Sequence, residues 1–170
     1  MKTELELTLP DSAATEALGA ALARSFPGAA DVPAALYLEG DLGAGKTTCV
    51  RSMLRTFGVS GLIRSPTYTL IETYPLEALT CVHIDLYRLR GPIEADELGL
   101  RDFLTAGFLL MVEWPEKGAE VLPIADLEAR LNYLDDGRLC RLRAQTSRGM
   151  AWMNNLLNDS SLRFYLSNLT

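Results

Sequence analysis

Eight residues, Gly40-Asp41-Leu42-Gly43-Ala44-Gly45-Lys46-Thr47, follow the spacing G-x-x-x-x-G-K-[ST]. Glycines in such a loop let the backbone take positive φ and approach an anion with no Cβ in the way. Successive N–H groups then turn inward as an anion nest, and a helix starting near Lys46 adds its positive dipole end. Lys46 can reach the β- and γ-phosphates of a nucleotide, and the Thr47 hydroxyl can ligate magnesium. Asp41, Leu42, Gly43, Ala44, Gly45, Lys46, Thr47 and Thr48 are therefore the expected nucleotide contacts. The chemistry they predict is binding of a nucleoside triphosphate. A plain turn between a strand and a helix is the alternative, and the whole motif in its context argues against it.

Two carboxylates are candidates to complete the site. Residues 108–112 form a continuous apolar run, as in a strand covered on both faces, and Glu113 follows at once. An acid at that strand end, beside a P-loop, can bind magnesium directly or through water. The alternative for Glu113 is a surface position in a turn. Asp85 lies near the C-terminal end of an alternating stretch, residues 81–88, where α/β ligand sites collect. It could hold a water or a magnesium ligand. His83, the single histidine, shares its face, and a hydrogen-bonded structural role is favoured over catalysis. Thr67 follows Ser65-Pro66, where P-loop folds often carry a nucleotide-sensing switch; the alternative is a turn opening a strand over 68–74. Trp114 can pack against the site or the core.

These residues need elements to hold them. Leu5, Leu7 and Leu9 alternate with polar residues in a half-buried strand ended by Pro10. Asp11 or Ser12 can cap a helix whose apolar positions include Ala14, Leu18, Ala21 and Leu22. Residues 34–38 read as the buried strand before the P-loop, and residues 48–57 as a helix stopped by Gly58. Gly91-Pro92 opens a short acidic helix, and a second short helix is expected over 101–106. Residues 127–144 read as a β-hairpin turning at Asp135-Asp136-Gly137, and 149–157 as a closing helix. The expected fold class is α/β: a single P-loop NTPase-like domain over residues 1–158. Its central sheet is mixed and largely parallel, flanked by helices, with a C-terminal β-hairpin. Residues 159–170 show no period and are expected to be a frayed or disordered tail.

Composition narrows the function. The 170 residues are 48% apolar and 22% charged, ordinary for a soluble protein, with no apolar run long enough to span a bilayer. The start of the chain lacks the apolar stretch of a signal peptide. Cys49, Cys81 and Cys140 are widely spaced and suggest buried reduced thiols in a cytoplasmic protein. A net charge of -6 disfavours direct binding of nucleic acid, which needs clustered cations. No Asn-Lys-x-Asp guanine motif occurs, so adenine is the expected base.

Four motifs occur in order: residues 40–48, Ser65-Pro66-Thr67-Tyr68, His83-Ile84-Asp85-Leu86-Tyr87-Arg88 and Val112-Glu113-Trp114-Pro115-Glu116. Together they resemble the TsaE (YjeE) family of bacterial P-loop ATPases. That resemblance implies a role in making threonylcarbamoyladenosine in tRNA. It implies the partners TsaD and TsaB, with tRNA met only through the complex, no membrane contact, and ATP hydrolysis that drives or resets the complex. ATP and magnesium are the implied cofactors. Thr47 and Glu113 are the implied metal ligands. Asp85, Lys46 and Thr67 are the implied catalytic group, with Asp85 positioning water and Thr67 in a switch-like segment. Trp114, Ser12 and Gly137 are implied near the nucleotide. Weak magnesium-dependent hydrolysis, stimulated by the partners, is the expected activity. The other readings are a P-loop kinase of a small molecule and a nucleotide-gated binding module without turnover.

Overall fold

A computed structural model describes residues 3–29 and 31–166. Seven strands form one sheet in the order β1-β7-β6-β2-β5-β4-β3. They are β1 (Glu4–Leu9), β2 (Ala34–Glu39), β3 (Ile71–Pro75), β4 (Thr80–Asp85), β5 (Phe108–Glu113), β6 (Leu127–Leu134) and β7 (Gly137–Ala144). The inner strands β6, β2, β5 and β4 run parallel. β1, β7 and β3 join antiparallel at the two sides. The apolar run of β5 follows from its place between β2 and β4, with both faces covered.

Helices α1 (Ser12–Ser25), α2 (Lys46–Thr56) and α4 (Ser147–Leu157) cover one face. Their core includes Leu7, Leu18, Leu36, Met53, Met111 and Trp152. The short helix α3 (Pro92–Glu97) and a 3-10 turn at Leu100–Phe103 cover the β4–β5 part of the other face, over Val82, Ile84, Leu110 and Val112. The outer face of β1, β7 and β6 carries rows of exposed ion pairs such as Glu6–Arg141 and Glu4–Arg143. Pairs of this kind contribute little to stability.

One open choice is settled and three local expectations change. Asp11, not Ser12, caps α1: its Oδ1 accepts the Ala14 N–H at 2.8 Å. The strand expected over 68–74 begins only at Ile71, because Leu70 turns the chain at φ 65 and donates its N–H to Pro66 O at 2.6 Å. β4 stops at Asp85, whose Oδ1 accepts the Tyr87 N–H at 2.9 Å and so folds the chain over. The helix expected over 101–106 is the single 3-10 turn, ended at Leu104 by a non-helical ψ of 57°.

The segment after Asn158 is docked as far as Leu166. A 3-10 turn at Ser160–Leu162 buries Leu162, Arg24 pairs with Asp159 at 2.8 Å, and Thr8 donates its N–H to Tyr165 O at 2.7 Å. Leu166 bridges Leu7 on the open edge of β1. An unpaired strand edge with a buried leucine offered a partner that periodicity could not reveal. Residues 167–170 of the expected tail lie outside the described residues.

Candidate functional site

Gly40 leaves β2 at φ 128. A Cβ there would meet Leu131 O at 2.0 Å, so the first glycine of the loop is required by the neighbouring β6 backbone as well as by any anion. Gly45, at φ 108, precedes α2, and a Cβ on it would lie 3.1 Å from Thr15 Cγ2 of α1. Helix α1 thus backs the loop from behind.

Lys46 opens α2 and is 4% exposed. Its ammonium donates to Gly40 O at 2.6 Å and Asp41 O at 2.8 Å. It also lies 4.4 Å from the centroid of the Trp114 ring. Burial pushes its pKa down, while the carboxylates of Glu113, Asp85 and Asp41 oppose that shift. Trp114 reaches this position from a left-handed backbone, φ 58, right after β5, and its ring also packs against Tyr87 at 5.0 Å. A tryptophan there costs backbone strain, which the fold tolerates where the ring meets the ammonium.

Register places the two acids side by side. β4 and β5 run parallel with Asp85 opposite Glu113, and Leu86 donates its N–H to Glu113 O at 3.1 Å. Glu113 Oε1 accepts the Thr47 hydroxyl at 2.8 Å, joining the head of α2 to the end of β5. The same oxygen lies 2.8 Å from His83 Nε2. Asp85 Oδ2 lies 3.3 Å from Thr67 Oγ1, which is 2.8 Å from Ser65 Oγ. Burial raises the pKa of Asp85; the Tyr87 N–H opposes the shift and Glu113 adds to it.

Lys46, Thr47, Thr67, Asp85, Glu113 and Trp114 therefore line one cleft, together with Leu42, Gly43, Gly45 and Thr48. Asp41 sits at the loop tip and meets Lys46 through its carbonyl, and Ala44 is buried beneath the loop. Ser12 and Gly137 are not brought into this cleft. Ser12 lines an adjoining groove that shares Thr48 and includes Arg51. Gly137, at φ 121, packs against Leu9 O, where a Cβ would come within 2.5 Å. A second cleft of similar size lies on the open charged sheet face and gathers ion-paired side chains, two leucines and Glu128, which accepts from Gln145.

The oxygen donors Thr47 and Glu113 suit a hard cation such as magnesium. Among the described residues no group of three or more His, Cys, Asp or Glu forms a ready metal cage. A cation here would draw its remaining ligands from phosphate oxygens and water, as magnesium commonly does.

Three side chains of the site were not predicted. Tyr133, on β6, donates its hydroxyl to Leu42 O at 2.8 Å. Arg138, its cross-strand partner on β7, points at Gly43 O at 3.4 Å and stacks on the Tyr133 ring at 5.6 Å. Arg88 enters the cleft with its guanidinium 4.5 Å from the ring of exposed Tyr68. The hairpin turn is visible in sequence, but its landing on the P-loop depends on β6 pairing with β2. The cysteines take no part: burial pushes the Cys49 and Cys81 thiols up to about 12.

β2, the loop, α2 and an acid ending the adjacent parallel strand define a domain of the P-loop NTPase class. Comparison with known proteins narrows the class. The family model described as "Threonylcarbamoyl adenosine biosynthesis protein TsaE" matches residues 9–140. The chain is 46% identical over 114 residues to the tRNA threonylcarbamoyladenosine biosynthesis protein TsaE of Haemophilus influenzae, covering 67% of this chain and 72% of that protein. It is 38% identical over 101 residues to the protein of the same name from Bacillus subtilis, covering 59% and 63%. The crystal structure of Bacillus subtilis YdiB superposes with a TM-score of 0.71 at 29% identity, covering 92% of this chain and 96% of that one. The chain belongs to the TsaE family of threonylcarbamoyladenosine biosynthesis. Among the described residues no helix is long and apolar enough to cross a membrane.

Proposed function

We propose that the chain is a magnesium-dependent ATPase that serves tRNA threonylcarbamoyladenosine formation by driving or resetting a complex of TsaB and TsaD. The observation that carries the ATPase part is the meeting of Thr47, Glu113 and Asp85 at the head of the P-loop helix. The Thr47 hydroxyl donates to Glu113 at 2.8 Å, and Asp85 is the register partner of Glu113. The biosynthetic part rests on the names of the relatives.

In this reading, the loop N–H groups and the dipole of α2 hold the phosphates. Lys46 exchanges the carbonyls of Gly40 and Asp41 for phosphate oxygens. Thr47 and Glu113 would hold magnesium, which when bound would neutralise charge on the phosphates. Asp85, steadied by Thr67 and the Tyr87 N–H, orients the attacking water. Arg88 is stacked on Tyr68 and Arg138 faces a loop carbonyl. Slow turnover by the chain alone is part of this reading. The test is phosphate release from ATP with and without TsaB–TsaD. Slow release accelerated by the complex is expected. Equal turnover in both conditions would refute the partner dependence, and no release in either would favour a nucleotide-gated binding module.

A further inference from the structure

His83 is fully buried in β4, on the sheet face that α2 covers. Its neighbours on that face are the core residues Cys81 and, on β5, Met111, and on β3 its register partner Glu72, whose carboxylate accepts the Thr69 hydroxyl at 2.9 Å. An imidazole in such a place is costly unless it is bonded. Only one of its nitrogens is: Nε2 lies 2.8 Å from Glu113 Oε1, whereas Nδ1 is buried with no partner. A ring kept only to fill the core would be better replaced by an apolar side chain. The one bond it makes is aimed at a single oxygen of a single carboxylate.

We infer that His83 is a positioning residue that clamps Glu113 for magnesium; this rests on the reading of Glu113 as a metal ligand. An ionised carboxylate only accepts, so the network assigns the proton to Nε2. Oε1 then accepts two hydrogen bonds, from His83 and from Thr47, both at 2.8 Å. These hold one oxygen and leave Oε2 to face the cation or its water. Glutamate needs such a clamp because its long side chain has more rotamer freedom to lose than aspartate would. Thr47 keeps its lone pairs for the cation while its proton stays on Oε1. Partners behind a metal ligand commonly change metal affinity by about 10–100-fold when removed.

The test compares His83→Gln with His83→Asn in the full chain. A glutamine amide reaches roughly where Nε2 sits, and an asparagine amide only where Nδ1 sits. Affinity for a non-hydrolysable ATP analogue is measured by calorimetry in magnesium chloride and in EDTA. Expected is EDTA affinity within about twofold of wild type for both variants, since the P-loop is intact. H83N should lose about 10–100-fold of the affinity gained from magnesium, and H83Q most of that loss should be spared. Wild-type magnesium dependence in H83N would overturn the inference while leaving the proposed function standing. So would an equal loss with and without magnesium, which would mark His83 as a core residue only. A wild-type chain that binds the analogue no better with magnesium would refute the ATPase reading itself, and the inference with it.

Discussion

Gly19→Ala tests how the fold holds the P-loop. Gly19 lies on α1 where it crosses α2. A Cβ at this position would stand 2.3 Å from Cys49 O and 2.8 Å from Ser52 Cβ. A carbon–oxygen contact becomes comfortable at about 3.3 Å, so the helices must part by about 1 Å. In an exposed helix the same change stabilises by about 1 kcal/mol, because glycine is a poor helix former. Overpacking a core costs about 1–3 kcal/mol. The obstacles here are backbone and a Cβ, with no flexible chain end to swing aside, so the upper end applies. The expected net loss is about 2 kcal/mol, or a fall of about 4–8 °C in Tm for a domain of this size. Urea denaturation followed by tryptophan fluorescence measures it, since Trp152 is buried against α1 through its bond to Leu22 O. Thr15 of α1 backs Gly45, so nucleotide affinity should fall together with stability. Gly91→Ala is the control: it has an extended φ of 166° and open space around it, and should change stability by less than about 0.5 kcal/mol. An unchanged or raised Tm for G19A would refute the close-packing argument.

Three further outcomes are expected. Tyr133→Phe removes only the hydroxyl that braces Leu42 O, a bond worth about 0.5–1.5 kcal/mol, so nucleotide affinity should fall by about 2–10-fold; unchanged affinity would show that the hairpin does not support the loop. Asp126→Ala removes the carboxylate that accepts from Ala35 N at 3.0 Å, Thr146 and Arg148, and should destabilise the chain by about 3–5 kcal/mol in urea titration. For Asp159, burial raises the pKa but the bonds from Ser161 and Arg24 outweigh it and hold the group below its ordinary value. Its contribution is therefore present above the unfolded pKa and lost as pH falls through the folded one, so Asp159→Asn should flatten the stability profile below about pH 4; an unchanged acid limb would count against the docked tail.

What sequence revealed was local. The P-loop, the apolar run of β5, the alternation of β1 and the hairpin turn each have residue types that state their own geometry within a dozen positions. The places where it fell short share one cause. The choice between Asp11 and Ser12 as the cap of α1 stayed open because the cap is decided by a single backbone geometry. Residues 66–70 form a turn because Asp85 N donates to Leu70 O at 2.9 Å, a closure between segments whose pairing sequence does not announce. Asp126 carries no motif signal of its own, yet it ties β2 to the start of α4.

Strand order explains why the site itself was half legible. Asp85 and Glu113 were each recognisable as an acid near a strand end. That they lie side by side depends on β4 running beside β5 in parallel register, which a crossover through α3 permits and spacing cannot prove. Once that register exists, the alternation of β4 decides the rest. It turns Val82 and Ile84 to α3 and leaves Cys81, His83 and Asp85 on the side of α2. His83 then meets the carboxylate that Thr47 already holds. The same step that makes Asp85 a neighbour of Glu113 thus makes a lone buried histidine a hydrogen-bond partner of that carboxylate. A residue's role here was set by the neighbouring strand as much as by its own motif.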